Sequence, residues 1–347
     1  NGERASLLDL MRDAGVELVS TPALERPLGN AFVRELSDIV SSSKIDCVIG
    51  NNARDRAVAI NVASRSGVPS VVCGHNQHVF QGLWPLPAMK KRYYGAAVRR
   101  CNLIVCSSEQ VRGEYIDWFG VDGKRCILMP HGINLGEQMQ YSTQELRDLR
   151  CSLGIGDQDW MFSNIGRIAP QKGQDTLLSA LKRLPTTLSC KVVLVGAVAQ
   201  DASQAECARF ERKLHAVAGN NVIFAGWRDD YDKILAASDA YVHSARWEGL
   251  PLTVLSSLAR STPTILPDNS SRPPGFEDQV HGLLVRPDAP ASLAEAITAL
   301  VQMDPEERSE MGRRGRSLVR KRYDMGQIGQ RFVDIVAGML DESPITP

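Results

Sequence analysis

The sequence predicts an α/β fold with two doubly wound parallel sheets, and three observations support this prediction. Short apolar segments alternate with helical segments along most of the 347 residues, which is the pattern of βαβ units in parallel sheets. The length exceeds what one hydrophobic core usually supports and fits two domains. The two halves share this alternation without a short sequence repeat. We therefore expect two Rossmann-like domains that face one another across a central cleft.

Strand candidates in the first half are short and apolar. They cover residues 17–19, 47–49, 70–73, 103–106 and 126–129. Helical periodicity predicts helices over residues 31–42 and 54–65, and a further helix that begins near Ser108. Because the chain lacks an initiating Met and opens in a helix-like pattern, we expect a first strand and its loop to be missing.

The second half repeats the pattern. Its strand candidates cover residues 161–165, 191–195, 222–224, 240–243, 264–266 and 282–285. Turn residues at 130–134 place the domain boundary there, so we predict an N-terminal Rossmann-like domain over 1–134 and a C-terminal Rossmann-like domain over 135–322. Residues 323–347 form a terminal helix that we expect to return to the first domain. Its apolar positions at helical spacing are Ile328, Phe332, Ile335, Val336 and Met339.

Composition excludes several classes of protein. Forty basic residues balance forty acidic ones, so no nucleic-acid partner is expected. No apolar run approaches the roughly 20 residues that span a bilayer. The eight cysteines have no C-x-x-C spacing, which is typical of apolar side chains in a reducing compartment. We therefore expect a cytoplasmic protein.

Two cations, Arg167 and Lys172, lie between a predicted strand that ends at Gly166 and a helix expected to begin near Gln171. This position is the carboxyl edge of a parallel sheet, where open α/β folds bind ligands. An isolated pair of this kind is more often a solvated surface feature. Here the Arg fork and the Lys point charge suit two adjacent phosphates, and Gly166 permits a close backbone approach.

Glu248 lies at a second strand-to-helix turn. Its simplest role is to balance the dipole of the following helix. The neighbouring glycine favours another role, in which the carboxylate accepts hydrogen bonds from sugar hydroxyls while backbone N–H groups bind phosphate. The candidate donor-binding residues after it are Gly249, Leu250, Pro251, Leu252 and Thr253. Both turns together predict a pocket for a diphosphate sugar.

These motifs resemble the family 4 glycosyltransferases, which have the GT-B architecture and retain anomeric configuration. In that family an Arg and a Lys separated by four residues hold the donor diphosphate, which matches Arg167 and Lys172. The family's Glu, seven residues, Glu element begins at Glu248, and the resemblance assigns this residue to the transferred sugar. The second carboxylate, which usually grips the ribose, is replaced by Ser256. The ribose contact is therefore lost or supplied elsewhere.

The resemblance also implies a His that faces the donor sugar from the first domain. His75, at the end of a predicted strand, is the candidate, and His78 is its nearest rival. A lone His at a strand end is more often structural. His131 is a further donor-side candidate, since Gly132 after it is typical of a hinge or of a close approach to phosphate.

Two charged segments have alternative interpretations. The acidic run at residues 229–232 precedes apolar residues at helical spacing, so we predict a helix N-cap cluster rather than a metal site. No cluster has zinc spacing, and the resemblance implies that no metal is needed. The basic, aromatic stretch at residues 90–100 fits contact with an anionic membrane or a lipid-diphosphate acceptor, although a solvated helix face is the commoner meaning.

Together the residues and the resemblance predict a retaining, metal-independent glycosyltransferase without a cofactor. It would move a sugar from a nucleoside diphosphate sugar to a glycan or lipid-linked acceptor, as in polysaccharide biosynthesis, in the cytoplasm or at the inner face of the membrane. Its assigned catalytic residues are Arg167, Lys172, Glu248 and His75. Two alternatives stay open. One is a GT-B sugar-nucleotide epimerase or phosphorylase, and the other is a non-catalytic partner subunit with a donor site weakened at Ser256.

Overall fold

A computed structural model of the protein contains two parallel β-sheets. It describes residues 11, 13, 15–17, 30–51, 55–75, 86–135, 140–198 and 204–342. Within these ranges no helix combines the length and apolar character needed to cross a bilayer. The same residues contain no group of three or more His, Cys, Asp or Glu side chains that could hold a metal ion.

The first sheet has four parallel strands in the order β1-β2-β3-β4. They are β1 Val48–Gly50, β2 Ser70–Gly74, β3 Leu103–Cys106 and β4 Cys126–Leu128. Their positions confirm four of the five strands predicted for this half. For the remaining one, at 17–19, Glu17 lies outside any strand, and residues 18 and 19 lie outside the described residues.

Four α-helices accompany the first sheet in the described ranges. They are α1 Asn30–Ser42, α2 Asp55–Ser66, α3 Leu86–Val98 and α4 Glu109–Gly113. Helix α4 begins where predicted, because the Ser108 side chain accepts a hydrogen bond from the N–H of Val111 and so caps the first turn. It continues as a π-helical turn over Glu114–Trp118.

The second sheet has six parallel strands in the order β10-β9-β8-β5-β6-β7. They are β5 Trp160–Ile165, β6 Cys190–Val195, β7 Val222–Gly226, β8 Ala240–Val242, β9 Thr264–Pro267 and β10 Leu283–Val285. The chain runs outward from β5 to β7 and then returns to place β8 on the other side of β5. The strand order therefore reverses between β5 and β8, and the crevice at their carboxyl ends is the expected ligand site of such a sheet.

Helices cover both faces of the second sheet. They are α5 Thr143–Ser152, α6 Gln174–Leu181, α7 Gln204–Val217, α8 Tyr231–Ala237, α9 Leu252–Ala259, α10 Pro290–Gln302 and α11 Pro305–Arg322. Adjacent residues of the central strand β5 enter opposite cores: Phe162 belongs to one apolar cluster and Met161 to the other. Because side chains alternate along a strand, burial on both faces gives the continuous apolar runs seen in the sequence.

The acidic run before α8 provides the N-cap residue of this helix. Asp230 occupies the N-cap position but makes no capping hydrogen bond through its side chain. Its carboxylate accepts two hydrogen bonds from Arg228, while Asp232 pairs with Arg260. The predicted N-cap position is therefore confirmed at Asp230, but its side chain makes no capping hydrogen bond, because it binds a guanidinium through stronger, charge-assisted hydrogen bonds.

The last helix, α12 Met325–Glu342, returns to the first sheet. Its five apolar residues named above pack against Val71, Leu103, Val105 and Met129. The Ile133 N–H donates to the Tyr323 carbonyl, and the Met325 N–H donates to the Ile133 carbonyl. The two segments that connect the halves of the chain, around Ile133 and around Asp324, therefore lie side by side. A Cβ on Gly132 would lie 2.6 Å from the Met325 Cα, and the close approach expected at this glycine is therefore to α12. The domain limits at 134 and 322 stay predictions, and both fall at this junction.

Candidate active site

The turn after β5 is held tightly against the turn after β6. The N–H of Gly166 donates to the Val195 carbonyl at 2.9 Å, and the N–H of Ile168 donates to the Ala197 carbonyl at 3.0 Å. Arg167 lies between these two anchors with an exposed side chain, and its carbonyl accepts from the Gln174 side chain. The backbone that carries Arg167 is thus fixed at the carboxyl edge of the sheet.

Lys172 ends a short 3-10 helix, Pro170–Lys172, and Gly173 follows in the left-handed region with φ +63°. A Cβ on Gly173 would lie 2.1 Å from the Ser244 carbonyl oxygen, so only glycine fits. Helix α6 begins after it, at Gln174. The α-helix therefore begins three residues after the predicted start near Gln171, because the left-handed Gly173 separates it from the 3-10 turn Pro170–Lys172.

Lys172 and Glu248 form an ion pair between the Lys Nζ and the Glu Oε1. They come from the turns after β5 and β8, which flank the point where the strand order reverses. Their side chains are only 18% and 12% exposed, so the pair is far more desolvated than a surface salt bridge. The sequence assigned these residues separate roles, and their direct contact was not predicted. Each charge neutralises the other in this arrangement.

Arg246 holds the lysine turn in place. Its guanidinium donates to the Pro170 carbonyl and to both carboxylate oxygens of Asp175, and it pairs with Asp288. Its backbone N–H also donates to the Gln171 carbonyl at 2.8 Å. Sequence reasoning missed this residue, although a cation two positions before Glu248 was an available signal.

A buried hydrogen-bonded chain lies beneath the pair. The Tyr241 hydroxyl donates to Thr253 Oγ1 at 2.9 Å and lies 3.0 Å from His243 Nδ1. Nε2 is buried and has no hydrogen-bond partner. His243 was also missed, although it ends a strand five positions before Glu248.

Helix α9 begins directly after the Glu248 turn. The backbone N–H of Glu248 donates to Ser270 Oγ at 3.2 Å. Gly249 and Leu250 are buried, and Pro251 occupies the N-cap position of the helix. Leu252, the first helical residue, is 51% exposed, which leaves the first turn accessible to a ligand. Ser256 is partly exposed on the second turn.

The two predicted histidines of the first half lie together. The rings of His75 and His131 stack with centroids 4.8 Å apart and planes 29° apart. His75 Nε2 lies 2.6 Å from the Asn51 side-chain oxygen, and both histidines border a cavity of about 240 Å³. His78 lies outside the described residues. Among the residues that are described, no hydrogen bond or ring contact joins this pair to Lys172 or Glu248.

The imidazoles of His243 and His75 both have lowered pKa values. Burial first, and then the charge on Lys172, lowers the pKa of His243 to about 3. Burial, then His131, then Arg56 lower the pKa of His75 to about 4. Both side chains are therefore neutral at pH 7 and act as hydrogen-bond partners rather than as cations.

These shifts predict how stability depends on pH. An unfolded His has a pKa of 6.5, whereas the folded pKa is about 4 for His75 and about 3 for His243. At pH values between these limits the unfolded chain binds more protons than the folded one. The free energy of unfolding therefore falls as the pH drops from 6.5 towards 4 and then 3. Urea unfolding at several pH values should show a shallower slope for His75→Gln than for wild type. His215→Gln, at an exposed His, is the matched control. Identical slopes for His75→Gln and wild type would contradict the prediction.

Comparison with known proteins assigns the chain to a class. A family model described as "Glycosyltransferase Family 4" matches residues 5–137, and one described as "Glycosyl transferases group 1" matches residues 147–318. The D-inositol 3-phosphate glycosyltransferase of Segniliparus rotundus is 24% identical over 262 residues, which are 73% of this chain and 58% of the relative. The chain thus spans little more than half of that protein.

A second relative matches over more of its length. The GDP-mannose-dependent monoacylated alpha-(1-6)-phosphatidylinositol monomannoside mannosyltransferase of Corynebacterium glutamicum is 24% identical over 315 residues, which are 87% of this chain and 78% of the relative. Among solved structures, that of Anabaena HepE in complex with UDP has a TM-score of 0.80 at 18% identity, and covers 95% of this chain and 88% of that one. This structural likeness shows a common fold.

Two Rossmann-like parallel sheets and the likeness to HepE show the GT-B fold. The chain belongs to glycosyltransferase family 4. The predictions of fold class, family and enzyme class are thereby confirmed.

Proposed function

We propose that the chain transfers a sugar, with retention, from a nucleoside diphosphate sugar to a hydroxyl of a glycan or lipid-linked acceptor. The Lys172–Glu248 pair at the carboxyl edge of the second sheet carries this proposal. One relative is named as GDP-mannose-dependent, and HepE was crystallised with UDP. Both support a nucleotide-linked donor.

The donor diphosphate binds Lys172 and Arg167 in this proposal. Its oxygens compete with Glu248 for the Lys172 ammonium, and the freed carboxylate then accepts hydrogen bonds from the sugar hydroxyls. Backbone N–H groups near Leu252 and Thr253 contact phosphate at the exposed start of α9. Negative charge grows on the diphosphate as the glycosidic bond breaks, so these fixed positive charges stabilise the transition state more than the ground state.

Retention follows from attack on the face of the sugar that the leaving group occupies. We assign no protein nucleophile. The transition state is oxocarbenium-like, and the departing phosphate takes the proton of the acceptor hydroxyl. His75, neutral and oriented by Asn51 and His131, hydrogen-bonds the sugar from the first domain. The proposed reaction uses no metal or other cofactor, since cations and the helix N-terminus neutralise the leaving group.

Product analysis tests this function. The chain is incubated with UDP-glucose, UDP-galactose or GDP-mannose and an alkyl glycoside acceptor, and products are identified by NMR. Free nucleoside diphosphate together with a glycoside of the donor's anomeric configuration is expected. An epimerised donor without nucleotide release, or an inverted product, would reject the proposal. Neither relative named above is an epimerase or a phosphorylase.

Ser256 provides a separate test of donor binding. Because a carboxylate binds ribose hydroxyls more strongly than a neutral hydroxyl does, Ser256→Glu should tighten UDP or GDP binding by several-fold and change the preference between them. Calorimetry on both forms measures this, with Ser309→Glu, a helix position elsewhere on the chain, as the control. Equal dissociation constants would show that position 256 does not contact the nucleotide.

The same calorimetry tests the alternative of a non-catalytic partner subunit. If the wild-type chain binds nucleotide and Arg167→Ala abolishes this binding, the result argues against that alternative.

Membrane contact through α3 is part of the proposal. Tyr93 and Met89 are 61% and 62% exposed, and Lys91 Nζ lies 4.8 Å from the ring centre of the exposed Trp118. Exposed aromatic and basic residues suit an anionic membrane surface. Co-sedimentation with vesicles that contain phosphatidylglycerol should fall in Lys91→Ser, and unchanged binding would remove α3 from the contact.

A further inference from the structure

A second cavity lies where α12 joins the first sheet to the rest of the chain. Its volume is about 570 Å³, and three parts of the chain line it. Ser107, Leu128 and Pro130 come from the ends of β3 and β4, and Pro274 comes from the loop after β9. The remaining lining residues belong to α11, α12 and their junction: Lys321, Arg322, Tyr323, Gln327, Ile328 and Arg331. Neither Lys172 nor Glu248 is among them.

The wall of this cavity carries unbalanced positive charge. Its lining includes Lys321, Arg322 and Arg331 but no carboxylate. Within the described part of the chain, none of the three forms an ion pair with a carboxylate. Arg313 of the same helix, by contrast, pairs with Glu310. Three cations without a carboxylate partner in the described part of the chain therefore line this one cavity.

The dipole of α11 explains only part of this arrangement. Lys321 and Arg322 lie in its last turn, where cations are favourable. Arg331 lies in the second turn of α12, beyond the reach of that dipole. The nearby carboxylate of Asp324 accepts from the N–H of Gln327 at 3.0 Å and so caps α12. Helix capping and the helix dipole therefore do not explain why these three cations line the same cavity.

Part of the wall is already ordered. Gly275 has φ +86°, and a Cβ there would lie 2.9 Å from Arg322 Cζ, so the guanidinium rests directly against the Gly275 backbone. Tyr323 is 1% exposed, and its hydroxyl donates to the Pro274 carbonyl at 2.8 Å.

We propose that this cavity binds a phosphate-bearing ligand, either a phosphomonoester or a diphosphate. Planar guanidinium groups bind two phosphate oxygens at once. Arg322 and Arg331 supply two such groups, and Lys321 adds a third positive charge. The volume accommodates an organic part beside the phosphate. The site is separate from the donor site and does not depend on the proposed function. A lipid headgroup and a soluble phosphate ester offer the same chemistry.

Calorimetry with inorganic pyrophosphate tests the site in the full chain. All proteins carry Arg167→Ala and Lys172→Ala, which remove both proposed donor contacts of the diphosphate. Arg322→Gln with Arg331→Gln should weaken binding at least about tenfold, because two charge-assisted contacts are lost. Arg316→Gln, an exposed cation of α11 outside the lining, should leave it unchanged, and Arg331→Lys should retain most of it. Equal dissociation constants for the double variant and the Arg316 control would overturn the proposal.

Two further probes separate the sources of phosphate. Glycerol 3-phosphate represents a soluble ester, and phosphatidylcholine vesicles with phosphatidic acid represent a lipid headgroup. The probe whose binding falls in the double variant, but not in Arg316→Gln, identifies the source. If binding of neither probe falls, the proposal is overturned. Because these measurements need no turnover, failure of the transferase assay would leave their outcome unaffected.

Discussion

Lys172→Ala is expected to lower kcat by at least about tenfold, and by more if the lysine meets both phosphates. One charge-assisted contact that strengthens in the transition state is worth about this factor. Glu248 would lose its ion-pair partner at a site where it is 12% exposed, so the free energy of unfolding should also fall, by on the order of 2 kcal/mol. Steady-state kinetics and urea unfolding measure the two effects.

A double variant separates structure from catalysis. In Lys172→Ala with Glu248→Ala the unpaired carboxylate is gone, so stability should recover relative to Lys172→Ala alone. Activity should stay low, since both proposed ligand contacts are absent. Lys182→Ala, an exposed lysine just after α6, is the matched control and should behave like wild type. A well-folded Lys172→Ala with an unchanged rate would remove this lysine from the active site.

Gly173→Ala is expected to be among the most destabilising single substitutions in the chain. A left-handed conformation costs an alanine about 1 kcal/mol. At this position the new Cβ would also lie 2.1 Å from the Ser244 carbonyl oxygen, so the turn that carries Lys172 must move. We expect a total loss of about 3 kcal/mol or more in the free energy of unfolding. Displacement of Lys172 by about 1 Å would also lower kcat by about a hundredfold.

Gly226→Ala provides the control for backbone strain alone. Gly226 has φ +65°, nearly that of Gly173, but a Cβ there would meet nothing within 4 Å. Its substitution should therefore cost only the conformational term, about 1 kcal/mol. If both variants unfold at the same urea concentration, the contact between Gly173 and Ser244 has no energetic importance.

Local patterns predicted most elements of the fold. The strand Leu103–Cys106 was found to the residue, because a strand buried on both faces is often continuously apolar. Trp160–Ile165 was found to within one residue from its apolar positions, although it also contains the buried polar residues Ser163 and Asn164. The last helix was predicted from its spaced apolar residues, and packing of these residues on the first sheet fills that face. Asp230 occupies the predicted N-cap position without a capping hydrogen bond from its side chain, and sequence spacing gave no sign of its partner Arg228 as a stronger competitor.

The candidate site was predicted less completely. Short motifs that directly follow predicted strands lie at the carboxyl edge of a parallel sheet, where ligands bind. This rule identified Arg167, Lys172 and Glu248. The motif could not show that Lys172 pairs with Glu248, that Arg246 holds their turn, or that His243 is buried beneath them. These contacts join residues about 70 positions apart, and only the strand order places them side by side.

By itself, the sequence determined the two α/β halves, the family and the chemical character of the donor site, because alternating apolar patterns and short turn motifs are local properties. The tertiary structure decided which charges touch. The strand reversal between β5 and β8 brings Lys172 to Glu248, and the return of α12 gathers Lys321, Arg322 and Arg331 around one cavity. Coulomb interactions and desolvation depend on distance in space, which the spacing of residues along a chain does not encode.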